Sequence, residues 1–191
     1  MTKDNRHNGY LTGRLLVSAP DQEHDIFKKS CILVCAHDEN GAMGLILNKF
    51  ENNISLSELL IQMEIPISDI KNSPRIYTGG PVSQEQGFIL HDCNYKESET
   101  AHINQFFNLT TTVNILSKIS QDQGPTDYKI FLGFSSWRKG QLENEILNNM
   151  WITLPATKEI VFSKYCDTMW YSSLSQNGIN PQHISVHNGS A

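Results

Sequence analysis

Two short apolar runs on either side of a polar reversal constrain this chain more than any other feature. Ser30–Ala36 (SCILVCA) is β-rich and ends at Asp38-Glu39-Asn40-Gly41, and Met43–Asn48 (MGLILN) follows at once. An Asn-Gly step between two such runs predicts a β-hairpin. Arg14–Ser18 (RLLVS) precedes it as a further strand, closed by Ala19-Pro20.

Helical signals begin after the hairpin. Ser55 and Glu58 have capping-box spacing, and Leu56, Leu59, Leu60 and Met63 fall on one helical face before Pro66 ends the run. Short strands are expected at Ile76–Thr78 and Phe88–Leu90, and an extended stretch over 100–112 leads into a helix at Val113–Ser120. Tyr128, Ile130, Leu132 and Phe134 alternate as on a strand. A helix over Gln141–Asn148 carries Glu143 and Glu145 in its first turns, where the macrodipole favours anions. A strand at Glu159–Phe162 and a helix capped by Asp167 and stopped at Asn177-Gly178 complete the reading. Strands first in hairpins and later alternating with helices predict an α+β fold with a mixed, largely antiparallel sheet flanked by helices.

At 191 residues the chain suits one domain that buries roughly 70% of its unfolded surface. The expected organisation is a flexible N-terminus over 1–9, a single domain over 10–178 and a polar tail over 179–191. The longest apolar run, Cys31–Ala36, is far short of the ~20 residues of a membrane span, and the first ten residues offer no secretion signal. These features argue for a soluble, cytoplasmic protein with no membrane partner. Twenty acidic against fifteen basic residues, the latter scattered, disfavour direct nucleic-acid binding. Cys31, Cys35, Cys93 and Cys166 read as free thiols. On one strand, the Cα atoms of Cys31 and Cys35 would lie ~13 Å apart, beyond the ~7 Å reach of a disulfide.

Several constellations are candidates for chemistry. Strand alternation would put Cys31, Leu33, Cys35 and His37 on one face, with His91 and Cys93 closing another strand. Cys35, His37, His91 and Cys93 would meet around zinc if those strand ends were neighbours. No close metal-ligand pair such as Cys-x-x-Cys is present, however, and buried cysteine behaves as a small hydrophobe. No metal and no cofactor is therefore expected. The dipeptide His-Asp occurs at His24-Asp25, His37-Asp38 and His91-Asp92. Adjacent residues of an extended chain point to opposite sides, so these read first as turn residues satisfied by backbone. Gly133–Gln141 (GFSSWRKGQ) reads as a strand, a small-residue loop and a helix start, an arrangement that presents N–H groups to an anion beside Arg138-Lys139. Gly79-Gly80-Pro81 permits a tight turn or a close backbone approach.

Four motifs in order carry a resemblance that spans nearly the whole chain: Gly13–Pro20 (GRLLVSAP), Phe27–Asn48, Gly79–His91 (GGPVSQEQGFILH) and Gly133–Ile146 (GFSSWRKGQLENEI). They are similar to those of the YqgE/AlgH family of bacterial proteins. The resemblance implies a compact α+β domain with a bent, barrel-like sheet in a bacterial cytoplasm. It implies no reaction, because the family has no established activity. One member is named for an effect on alginate production, which suggested transcriptional regulation. Where the family has Ala-Gly before the tryptophan and Gly-Pro after it, this chain has Ser135-Ser136 and Arg138-Lys139, a stiffer and more basic segment.

The leading expectation is a non-catalytic, possible regulatory domain that binds a protein or small-molecule partner. Its candidate binding residues are His37, Asp38, Asn48, Gly79, Gly80, Pro81, His91, Ser135, Ser136, Trp137 and Gln141, at strand ends and turns that should gather on one face. No catalytic residue is assigned. The alternative is an enzyme acting on a phosphorylated small molecule, with 135–141 as anion cradle and His37 or His91 as acid/base. A third is an interaction module with an apolar patch around Trp137 and Trp151.

Overall fold

The computed structural model describes residues 9–20, 26–66, 74–181 and 184. In chain order its elements are β1 (Arg14–Ser18), β2 (Cys31–Asp38), β3 (Gly41–Ile46), α1 (Leu56–Gln62), β4 (Ile76–Thr78), β5 (Val82–Asp92), β6 (Ala101–His102), β7 (Phe107–Thr110), α2 (Val113–Ser120), β8 (Tyr128–Arg138), α3 (Gln141–Leu147), β9 (Trp151–Pro155), α4 (Lys158–Val161) and α5 (Cys166–Gln176).

The strands form one curled sheet, a half-barrel, in the order β6-β7-β5-β8-β3-β2-β1-β9. All these pairs are antiparallel, and β4 joins β8 in parallel. The expected mixed, largely antiparallel α+β architecture is present. β8 is the hinge of the curl. Its first half pairs with β5 and β4 through Tyr128–Leu132, and its second half pairs with β3 through Ser135–Arg138.

Burial separates three apolar layers. The concave interior joins both halves of the sheet, with Leu15, Leu33, Leu45, Leu90, Phe107 and Phe131 packed on Val161 of α4 and Met169, Trp170 and Leu174 of α5. Outside, α1 and α2 cover one half through Leu56, Leu60, Ile115 and Ile119. The other half packs Leu16, Ile32, Trp137 and Trp151 against Leu142 of α3. The Ser55–Glu58 capping box is formed, with the Ser55 hydroxyl accepting the Glu58 N–H and the Glu58 carboxylate accepting the Ser55 N–H.

Local expectations fail in three places. Glu159–Phe162 is not a strand but lies within and just after α4, because Thr157 caps that helix and Glu159 sits in its first turn. The strand of this region is β9, which pairs with β1 along its whole length. At α5 the N-cap is Tyr165, and Asp167 lies in the first turn, where it still meets the positive end of the dipole. Ser135–Arg138 belongs to β8, so the small-residue loop shrinks to Lys139-Gly140. In the tail, Ile179 and Ile184 pack against the interior core. His24-Asp25 lies outside the described residues.

Candidate functional site

The most motif-rich part of the sequence converges at the far end of β8. His37, Ala42 and Trp137 form one cross-strand row. A β-bulge between Val34 and Ala36 sets that row. One extra residue reverses the alternation. Cys35 therefore stays in the interior core while His37 turns to the α3 side, opposite to the single face expected for the two. His37 Nδ1 accepts the Leu11 N–H at 3.0 Å, which places its hydrogen on Nε2, 3.1 Å from Glu143 Oε1. Beside it, Glu145 Oε2 accepts both indole N–H groups, of Trp137 and Trp151, each at 2.7 Å. Gln141 donates to Glu145 Oε1 at 2.8 Å and accepts the Arg138 N–H. This end is acidic, and both ring nitrogens of His37 are engaged.

The glycine pair lies midway along β8. A Cβ on Gly79 would stand 2.2 Å from Gly133 O, and one on Gly80 2.2 Å from the Phe134 carbonyl carbon. The partner that approaches closely is therefore the chain's own β8. Gly133, at φ +69°, supplies the matching kink. Ser135 is buried and donates to Gly79 O, while Pro81 and Ser136 are exposed. Asn48 bridges Cys31 N and Lys29 O, and Asp38 accepts the Asn40 N–H of the hairpin turn.

His91 does not join them. It pairs with Tyr128 at the opposite end of β8, fully buried. Its Nδ1 donates to Asp92 O at 2.8 Å, and its Nε2 accepts from Thr110 Oγ1 at 2.9 Å. Thr110 continues through Thr100 to a network in which Tyr95, Thr112 and Asn114 donate to Glu97. Burial lowers the His91 pKa, with the backbone hydrogen bond to Asp92 opposing. Cys35, His37, His91 and Cys93 thus lie apart. Among the described residues no three His, Cys, Asp or Glu side chains converge as a metal would need.

A different residue stands out at the His91 end of β8. Lys129 is only 4% exposed. It shares the inward face with Phe131. Its ammonium donates to Leu47 O at 3.1 Å and lies 4.5 Å from the centroid of the Tyr77 ring. Among the described residues no carboxylate is within ion-pair distance of it. Burial pulls its pKa down to about 8, against smaller opposing effects of the Cys166 and Cys31 thiols. Burial also pushes Cys31 up to about 12, and burial, with a smaller effect of the neighbouring Cys166, raises Tyr77.

Lys129 lines a cleft of about 530 Å³ at the mouth of the half-barrel, between the start of β8 and the segment after α4. Phe50, Tyr77, Tyr128 and Phe162 give it aromatic walls, and Arg75 and Lys164 add two cations against the single acid Asp127. The Arg75 guanidinium lies 4.4 Å from the centroid of the Phe50 ring. A cleft of this size, with aromatic walls and charged groups beside them, suits a small ligand. Its charge suits an anion. The sequence holds one signal for it: Ile130-Phe131-Leu132 is apolar on both faces, so a lysine beside Ile130 on the Phe131 side enters a buried layer.

Similarity to known proteins covers the whole of this architecture. The profile of a family described as AlgH-like matches residues 15–182. A UPF0301 protein of Cereibacter sphaeroides is 37% identical over 182 residues, 95% of this chain and 99% of that protein. One of Ruegeria pomeroyi is 39% identical over 183 residues, with the same coverage. The solution structure of the AlgH protein from Pseudomonas aeruginosa superposes with a TM-score of 0.79 at 28% identity, covering both chains completely. The crystal structure of protein DIP2367 from Corynebacterium diphtheriae shares the fold, with a TM-score of 0.70 at 19% identity over 92% of this chain and 90% of that one.

Proposed function

The chain belongs to the AlgH-like family, and from that premise we propose that it is a non-catalytic binding domain whose ligand is a small anion with a flat or apolar body, seated in the Lys129 cleft. The observation that carries this reading is the buried ammonium without a carboxylate. Burying a charge is costly unless it is paired. A methionine would fill the same space without the cost of a buried charge, which the one hydrogen bond to Leu47 O only partly offsets. An anion entering the cleft supplies the missing charge, with Arg75 and Lys164 at the rim and the aromatic walls against its body.

A cytoplasmic setting fits the four cysteines, all of them unpaired. No helix among the described residues is long and apolar enough to cross a membrane. A regulatory role would act through occupancy of the cleft, and the net charge of -5 argues against direct contact with DNA.

Thermal unfolding with inorganic phosphate, benzoate and a nucleoside monophosphate tests the reading. A ligand at 100 times its Kd stabilises by about 2.7 kcal/mol. At least one of the three should raise Tm in the unmodified protein and fail to do so in Lys129→Met. No rise with any of them overturns it.

A further inference from the structure

We infer that Lys129 is a covalent capture site, whose amine condenses reversibly with the carbonyl group of an anionic ligand to form an imine. This deepens the anion-binding reading and rests on it. Three features of the cleft carry it. Lys129 is among the residues that line a cavity large enough for a small metabolite, and its amine sits 4.5 Å from the ring centroid of Tyr77, which lines the same cavity. Among the described residues it is held by one hydrogen bond, to Leu47 O, and no carboxylate pins it as an ammonium. Arg75 and Lys164 line the same cavity and would hold the ligand's anionic group while its carbonyl faces Lys129.

Burial supports the chemistry. It favours the neutral amine, the form with a lone pair to donate. It also keeps the Tyr77 hydroxyl protonated against the same wall, where its neighbour is the Cys166 sulfur at 3.9 Å.

The step balances without an oxidant or reductant. The neutral amine adds to the carbonyl carbon to give a carbinolamine. One amine hydrogen passes to the carbonyl oxygen in that addition; the resulting hydroxyl then leaves with the remaining N–H hydrogen as water, and a carbon–nitrogen double bond replaces the carbon–oxygen one. Hydrolysis reverses every step, so capture is a form of binding rather than turnover. The ligand class is a small aldehyde or ketone bearing a carboxylate or a phosphate.

Reductive trapping tests this on the unmodified protein. Pyruvate in one arm and pyridoxal 5′-phosphate in the other are incubated with the full chain and cyanoborohydride near neutral pH, and adducts are mapped by peptide mass spectrometry. The expected result is labelling at Lys129 at least tenfold faster than at the exposed Lys164, in one arm or both; the arm that labels names the anion. In Lys129→Arg that adduct should vanish while the rise of Tm with anions remains. Adducts spread over exposed lysines with none on Lys129 overturn the inference. If anions still raise Tm in that case, capture fails and the binding reading stands; if they do not, both fail.

Discussion

At the Arg138 end of β8 two indole N–H groups share one carboxylate oxygen, whereas at the Tyr128 end an ammonium is buried with no carboxylate of the described residues within ion-pair distance. Both ends lie on one eleven-residue strand. At the first, Trp137, Trp151 and Gln141 all meet Glu145, and His37 meets Glu143, inside the chain. Nothing there asks for a ligand. At the second, Lys129 has one carbonyl, one aromatic face and an open cleft. A hydrogen-bonded cluster that closes on itself holds a fold together, while a polar group left incomplete beside a cavity is where a ligand adds free energy.

The crossing between the two ends should be the least tolerant point. In Gly79→Ala the new methyl meets the Gly133 carbonyl oxygen, a backbone atom that no rotamer change can remove. The expected loss is about 4 kcal/mol in urea unfolding, the range reserved for such clashes. A loss below about 1 kcal/mol would mean that the two halves of the sheet adjust independently.

Next comes Glu145→Ala. It leaves two indole N–H groups without an acceptor in side chains that are 5% and 4% exposed. Each costs about 1–3 kcal/mol, so about 3 kcal/mol is expected in all, with a change in tryptophan fluorescence. A nearly neutral effect would reopen this end as a candidate for binding.

The sequence shows the scaffold better than the site, for physical reasons. The hairpin, the capping box and the alternation from Tyr128 to Phe134 are local patterns, and local patterns survive in one dimension. The bulge at Cys35 leaves no trace in composition, yet it decides which way His37 points. Four residues such as Glu159–Phe162 fit strand and helix equally, and only the Thr157 cap settles them. Gly79 and Gly133 read as a turn and a strand end because their contact spans more than fifty residues. Lys129 looks like an ordinary polar strand position until α4, α5 and β4 close over it.

Lys129→Met probes the other end of β8, and its sign is opposite. The depression from 10.5 to about 8 corresponds to about 3 kcal/mol of disfavoured charge in the folded state. Loss of the hydrogen bond to Leu47 O takes back about 1 kcal/mol. A net gain of about 2 kcal/mol is expected near pH 7, together with loss of the anion effect. The dependence on pH follows from the same shift. Between pH 8 and 10.5 the unfolded chain holds a proton that folded Lys129 lacks, so wild-type stability gains from this group as pH rises. The advantage of Met is thus full below pH 8 and gone above 10.5. Cys31 and Cys35, pushed up to about 12 by burial, lower stability above their ordinary value of 9.0 in both proteins and largely cancel in the difference. A destabilised Lys129→Met variant would mean that the lysine is structural.

The smallest effect is expected two residues from Glu145 on the same helix. Glu143 also accepts a hydrogen bond from a buried ring, that of His37, but its own side chain is 47% exposed. Water therefore already solvates the carboxylate, and charge adds little to the contact. In Glu143→Gln the amide oxygen still accepts from His37 Nε2, so the loss in urea unfolding should be about 0.5 kcal/mol and should not grow when salt is removed. The contrast with Glu145→Ala then separates two uses of a carboxylate on α3: one completes a buried pair of indoles, and the other borders solvent. A loss at Glu143 as large as that at Glu145, and dependent on salt, would mean that the His37 contact is an ion pair within the structure. The closed end of β8 would then hold a charge of its own, and the difference between its two ends would narrow to the cleft alone.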